Sequence, residues 1–226
     1  MENELRLRNA GGVIGALKRL IGTNYEPYKL DPIQLIQTGG GLVLNAGSGF
    51  TPRLTSDTVN LDYYPFVHVD LVADLNRIPF QNNTFDLVIS EFVLEHVSDP
   101  FQVCAEMVRV VRPGGVLYIS YPFMHPYHKF PDDYFRFTFS GIQTLLKGTV
   151  LIEHRVLTGP ASRWVGSTAD LICMLFLGDH KGTWKFILRG AILALLFPVK
   201  YLDIVLNRLD AASHHAVTLL GVFRKF

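Results

Sequence analysis

The apolar run Leu42-Val43-Leu44 passes through Asn45-Ala46 into Gly47-Ser48-Gly49, and a carboxylate, Asp62, follows the next apolar run, Thr58-Val59-Asn60-Leu61. No other feature constrains the fold as much. A buried strand that delivers a glycine turn, with an acid at the tip of the neighbouring strand, is the nucleotide end of an open α/β sheet. Glycine lacks a Cβ, so the backbone can turn sharply and approach a ligand closely. The acid at the strand tip can accept hydrogen bonds from both hydroxyls of a ribose.

Two ligand classes compete for such a turn, a dinucleotide and S-adenosylmethionine. The dinucleotide fingerprint needs a third glycine for close helix packing and a helix N-terminus aimed at the pyrophosphate. Here Phe50-Thr51-Pro52 follows Gly49, and residues 51–57 leave room only for a short helix or turn. An NAD-dependent oxidoreductase is therefore disfavoured.

More motifs follow in order: Ala73-Asp74-Leu75, Ile78-Pro79-Phe80, Thr84-Phe85-Asp86, Val93-Leu94-Glu95-His96-Val97 and Arg109-Val110-Val111-Arg112-Pro113-Gly114-Gly115. With these the chain resembles the class I S-adenosylmethionine-dependent methyltransferases, in particular the small-molecule branch that carries LPF, SFD, LEHV and RVLKPGG. The resemblance covers about 41–157 and resumes near the C-terminus. It implies an α/β, doubly wound, mostly parallel seven-stranded sheet and S-adenosyl-L-methionine as cofactor. It also implies that Asn45, Gly47, Gly49, Asp62 and Ser90 line the cofactor site. Asp74 would accept from the adenine amino group, and Leu75 would pack on the ring. Asp70 lies nearby, but Asp74 fits the motif spacing better. The run from Tyr121 to His128, with Asp133-Tyr134-Phe135-Arg136 and Gly159-Pro160-Ala161-Ser162, is similar to a subset linked to glycan or cell-surface biosynthesis. The implied activity is methyl transfer to a small or lipid- or glycan-linked acceptor at oxygen. The rival is a non-catalytic or partner-dependent protein of the same fold, associated with a membrane.

Alternation of strand and helix signals implies parallel strands joined by right-handed crossovers. Strands are expected over 41–45, 58–61, 69–73, 85–90, 116–121, 150–157 and 216–223. Helices are expected over 101–111, started by Asp99-Pro100, and over 140–146. Residues 1–40 read as a leader or cap with a short amphipathic helix over 13–21. Residues 41–160 read as the core, 161–213 as a hydrophobic helical insertion, and 214–226 as the final strand. Within the insertion, 184–206 is apolar but interrupted by Lys185, Arg189, Lys200 and Asp203, and Pro198 kinks any helix there. A bilayer span wants about 20 apolar residues, so an interfacial segment, a lid or a dimer contact is expected instead. The basic side chains could then hold their charges at headgroup level.

Methyl transfer from a sulfonium needs alignment and exclusion of water more than a fixed catalytic signature. A hydroxyl acceptor adds the need for a base. His96, His125 and His128 are the candidates, the last two on the loop after the fifth strand, where a substrate loop belongs. On the same loop Arg136 can fork onto a carboxylate or phosphate. A metal on His125 and His128 would need Asp132 or Asp133 as third ligand, and none is expected. The net charge of +1 gives no sign of a nucleic-acid partner. The 2 cysteines, Cys104 and Cys173, read as small core residues. The start, MENELRLRNAGG, has no apolar core of a signal peptide. A cytoplasmic protein is expected, peripheral on a membrane through 184–206. The oligomeric state is left open.

Overall fold

Seven strands form one sheet in the order β3-β2-β1-β4-β5-β7-β6. The computed structural model describes residues 20, 22–23, 25–35, 41–129, 132–178 and 182–226. The strands are β1 Val43–Ala46, β2 Thr58–Asp62, β3 Leu71–Val72, β4 Phe85–Glu91, β5 Val111–Pro122, β6 Thr149–Thr158 and β7 Thr218–Lys225. The helix expected over 13–21 lies outside the described residues except for Leu20.

β1 is buried at all its positions, as a strand covered on both faces should be. It pairs in parallel with β2 on one side and β4 on the other. The chain order reverses at β1, and the carboxyl ends of β1 and β4 flank that switch point. Open α/β sheets bind ligands there. β7 instead runs antiparallel to β5, from Val116 opposite Arg224 to Pro122 opposite Thr218. The sheet is thus mixed, and β7 lies inside it, next to β5.

Helix α1, Pro100–Val110, begins where expected. Asp99 accepts from Gln102 N, and Pro100 occupies the first turn. Val103, Cys104, Met107 and Val110 form its buried stripe, each contributing roughly 1.5–3 kcal/mol where the side chain is large and fully buried. At its end Lys225 Nζ donates to the carbonyls of Val108 at 2.7 Å and Val111 at 2.8 Å, a cation at a helix C-terminus. The Pro113-Gly114-Gly115 segment does not simply precede β5. The ladder opens at Val111 opposite Phe85, slips, and resumes at Val116 opposite Leu87. Gly114, at φ +79°, accommodates the slip. A second helix, α2, spans Phe139–Leu145. No α-helix occupies the β1–β2 or β2–β3 connection, so the expected doubly wound cover is incomplete among the described residues.

The chain divides into two compact units. One comprises Tyr28–Arg155 and Thr218–Phe226 and holds most of the sheet. The other comprises Met1–Pro27 and Val156–Val217. Its helices are α3 Pro160–Leu177, α4 Thr183–Leu196 and α5 Asp203–Leu206, and α4 runs into a 3-10 segment, Phe197–Leu202, at Pro198. Val165, Ala169 and Leu193 form its core, with Ile192, Leu196 and Val199 against them.

Two of its charged side chains do not serve a solvent or headgroup face. Lys200 is 1% exposed and donates to the carbonyls of Leu20 and Gly22. Asp203 is fully buried and accepts from Ala161 N at 2.9 Å and Ser162 N at 3.0 Å. It therefore caps α3 from a distant part of the chain, where a carboxylate favours the positive end of the helix. Gly159 leaves room for this, since a Cβ there would lie 2.5 Å from Asp203 Oδ1. Arg189 pairs with Asp170 at 2.7 Å. The expectation of headgroup-level charges thus fails for Lys200, because two carbonyls of its own unit capture it. No helix among the described residues is long and apolar enough to cross a membrane.

Candidate active site

The turn after β1 is built by backbone hydrogen bonds to β2. Gly47 N and Ser48 N both donate to Leu61 O, at 2.8 and 3.0 Å. Gly47 and Gly49 hold φ of +79° and +55°, a region costly for other residues. Packing also requires Gly47, since a Cβ there would sit 2.4 Å from Val93 Cγ2. A Cβ on Gly49 would meet nothing within 4 Å, so the backbone there borders open space. Asp62, 8% exposed, receives Gly49 N on Oδ2 at 2.8 Å and Tyr64 N on Oδ1 at 3.0 Å. It locks the turn, and each carboxylate oxygen keeps a second acceptor position.

The hydroxyls of Ser48, Ser90 and Ser120 are buried, and none has a hydrogen-bond partner. Buried hydroxyls are normally paired. Ser48 lies in the turn after β1, and Ser90 and Ser120 lie near the carboxyl ends of β4 and β5. A polar ligand at this rim would satisfy them. The open side of Gly49, the remaining Asp62 acceptors and these orphaned hydroxyls fit S-adenosylmethionine.

Other predicted residues have tasks of their own. Asn45 donates through Nδ2 to its register partner Asn60 at 3.1 Å, inside the sheet. Asp74 caps the 3-10 turn Leu75–Arg77 through Asn76 N at 2.8 Å, with its side chain at the surface. Leu75 beside it is 7% exposed. Asp70 is committed to Arg53 and to Asn60 N. That leaves Asp74 as the carboxylate of this pair without a salt-bridged arginine among the described residues.

β4 ends in an irregular segment. Phe92 holds φ +55°, unusual for a bulky residue. The 3-10 turn Leu94–His96 follows, with Val93 against Gly47. Tyr134 N donates to Glu95 O at 2.7 Å, which ties this turn to the loop after β5. The segment 93–96 therefore lies between the glycine turn and that loop.

The loop is organised by Asp133 and Arg136. Arg136 forks onto the Asp133 carboxylate and also donates to the carbonyls of His125 at 2.9 Å, Pro126 at 3.0 Å and Phe135 at 2.8 Å. Asp133 also accepts from His128 N at 2.7 Å. The Arg136 hydrogen bond, before all else, holds the Asp133 carboxyl well below the usual carboxylate range. Arg136 is thus a loop clamp, and the expected fork onto a ligand is already occupied by a neighbour three residues away.

His96, His125 and His128 come together. The His96 and His128 ring centroids are 5.0 Å apart, and those of His125 and His128 are 4.6 Å apart. His125 Nδ1 lies 2.8 Å from Pro126 O. Burial, with the like charge of His125 next, lowers the pKa of His128. Its imidazole therefore favours the neutral form, which can take a proton.

Beneath them lies Glu95, whose functional weight the sequence reading missed. It is fully buried, neither carboxylate oxygen accepts a hydrogen bond, and burial pushes its pKa up to about 7. Its Oε1 lies 3.9 Å from His96 Nε2 and 4.0 Å from His128 Nε2. The available signal was a lone acid inside the apolar run Phe92-Val93-Leu94-Glu95-His96-Val97.

A family model described as a methyltransferase domain matches residues 52–119. A demethylmenaquinone methyltransferase of Renibacterium salmoninarum is 42% identical over 59 residues, covering 26% of this chain and 24% of that protein. An uncharacterized methyltransferase of Mycobacterium leprae is 29% identical over 117 residues, covering 52% of this chain and 36% of that protein. The chain thus spans well under half the length of either relative. A crystal structure from Thermotoga maritima, described as an S-adenosylmethionine-dependent methyltransferase and possible histamine N-methyltransferase, superposes with a TM-score of 0.53. Identity is 11%, and the match covers 100% of this chain and 95% of that one, so it bears on the fold alone. The sheet order with its antiparallel β7 is that of the class I S-adenosylmethionine-dependent methyltransferase fold, and residues 52–119, which begin just after the glycine turn locked by Asp62, match the methyltransferase-domain family.

Proposed function

We propose that this chain transfers a methyl group from S-adenosylmethionine to a small-molecule acceptor, at an oxygen atom, and that the acceptor is lipid- or glycan-linked. The observation that carries the reading is the adjacency, through Val93, of the Gly47–Gly49 turn to the Glu95 and histidine cluster. When bound, the cofactor supplies a methyl group already activated on sulfonium. Asp62 accepts from the ribose hydroxyls, Gly49 lets the backbone pass close, and Ser90 offers its hydroxyl. Asp74 and Leu75 hold the adenine. On the acceptor side His125 or His128 would take the hydroxyl proton, leaving the acceptor oxygen free to receive the methyl group that the bound sulfonium would supply. The buried wall around Glu95 excludes water, which strengthens every polar interaction in the pocket.

Exposed apolar side chains of the helical unit support an acceptor presented at a membrane surface. Met174, Leu175, Phe176, Trp184, Phe186 and Leu195 are each more than half exposed, and Lys185 stands between Trp184 and Phe186. Such a composition suits peripheral contact.

Calorimetry with S-adenosylmethionine, S-adenosylhomocysteine and NAD tests the donor. Binding of the first two and not of NAD is expected, and the reverse would overturn the reading. For the acceptor side, His125→Ala or His128→Ala should lower turnover about 10²-fold with S-adenosylhomocysteine affinity unchanged. Full turnover in both variants would remove the histidines from the chemistry.

A further inference from the structure

The tautomers of His96 and His128 follow from their neighbours. His96 Nδ1 contacts the carbonyl oxygen of Asp132, which can only accept, so the proton sits on Nδ1. His128 Nδ1 lies 3.3 Å from Pro126 O and 3.3 Å from Asp133 Oδ2, again two acceptors. Both Nε2 atoms are thereby left as lone-pair donors. Both lie about 4 Å from the same oxygen of Glu95, and one ligand atom from each of the three residues falls within 4.8 Å of the others. Three lone-pair donors converge on one point, and the carboxylate among them is fully buried with no hydrogen bond to either oxygen. The Arg136 guanidinium acts on Glu95 from a distance but is forked onto Asp133, so a group that would balance the three donors at their own position carries positive charge.

We propose that Glu95, His96 and His128 bind one divalent transition-metal ion of the zinc class. A tetrahedral ion with bonds of about 2.0–2.1 Å wants ligand atoms about 3.3 Å apart, so the Glu95 pairs need to close by less than about 1 Å and the widest pair by at most about 1.5 Å. The outer contacts are those a metal-bound histidine uses: its second nitrogen donates to a carbonyl or carboxylate, which fixes the ring and raises its basicity. Asp132 serves His96 in this way, and Pro126 with Asp133 serves His128. The Arg136 fork holds Asp133 in turn. The site is open at His128, whose side chain is 37% exposed, and closed at Glu95. That supplies an entry path, and three protein ligands leave a fourth position. Two imidazoles with one carboxylate suit zinc, iron(II) or cobalt(II) and not magnesium. That the ion holds an acceptor oxygen in the fourth position rests on the proposed function with His125 as the base, since a metal-bound His128 has no lone pair left for a proton; that the ion binds does not.

The test is metal retention by the full chain. Protein stripped with a chelator and exposed to ZnCl2 should keep about one equivalent through gel filtration, measured by mass spectrometry of the metal, and none of MgCl2. Cobalt(II) in its place should give the visible absorption of a four-coordinate ion. Glu95→Gln and His128→Ala should each weaken zinc at least 10²-fold and Asp133→Asn about 10-fold, with circular dichroism verifying the fold. His215→Ala, at the surface, should change nothing. No retained zinc in the wild-type chain would overturn the proposal whatever the variants do, as would zinc held equally by wild type and every folded variant. Calorimetry with S-adenosylhomocysteine on the stripped protein reads the donor site separately, so failure of either reading leaves the other standing.

Discussion

Asp62 accepts from Gly49 N and Tyr64 N, and it would accept from a ribose as well. The two tasks separate by substitution. Asp62→Asn keeps one carbonyl oxygen for the turn and loses the charge. A hydrogen bond to a charged group contributes about 1.5–3 kcal/mol, so S-adenosylhomocysteine affinity should fall about 10- to 100-fold in calorimetry while the fold survives. Asp62→Ala should in addition lower the melting temperature, because Gly49 N loses its partner. Unchanged affinity in the folded Asn variant would detach Asp62 from the ligand. The same division of labour explains why residue-level reading is uneven here. Gly47 and Gly49 announce a backbone conformation that only glycine adopts easily, and that can be read from the residue type. Arg136, Lys200 and Asn45 have side chains able to serve a ligand, a lipid or a neighbour, and their type does not choose among these.

At the scale of elements, α1 positions the cofactor rim through a clamp. Arg109 donates to both oxygens of Glu106 and to the carbonyls of Ile78 and Phe80, while Glu106 also receives Ile78 N at 2.8 Å. The motif segments around Ile78 and Arg109 are thus one structural device that holds the loop after Leu75. The Arg109 hydrogen bond, first among its causes, holds the Glu106 carboxyl below its ordinary 4.5. A depressed carboxylate contributes stability above its unfolded value and loses it as pH falls through the folded one. Glu106→Gln should therefore melt below the wild type at pH 7, and the gap should close below about pH 4, followed by circular dichroism. A constant gap across that range would rule out the ionised pair as its source. In the helical unit, Asp203→Ala removes the remote cap of α3 and leaves two buried N–H groups unpaired. About 3 kcal/mol of destabilisation is expected in urea, with Asp203→Asn recovering part of it.

At the scale of the whole molecule, the apolar surface of α3 and α4 makes its own prediction. Trp184→Ser with Phe186→Ser should abolish flotation of the chain with anionic vesicles, without loss of the helical signal. Failure of the wild type to float would end the membrane reading. The sequence by itself determined the strands β1, β2 and β4, the turn between β1 and β2, and the limits of α1. Each is encoded locally, in an apolar run bounded by turn residues or in a cap and a proline at fixed spacing. Tertiary structure alone decided that β7 runs antiparallel beside β5, since an apolar run reports burial and not direction. It alone captured Lys200 and Asp203 as internal partners. It also brought Glu95 and His96, at the end of β4, to His128 on the loop after β5. Such pairings join residues far apart in the chain, and local periodicity carries no information about which distant group a buried charge will meet.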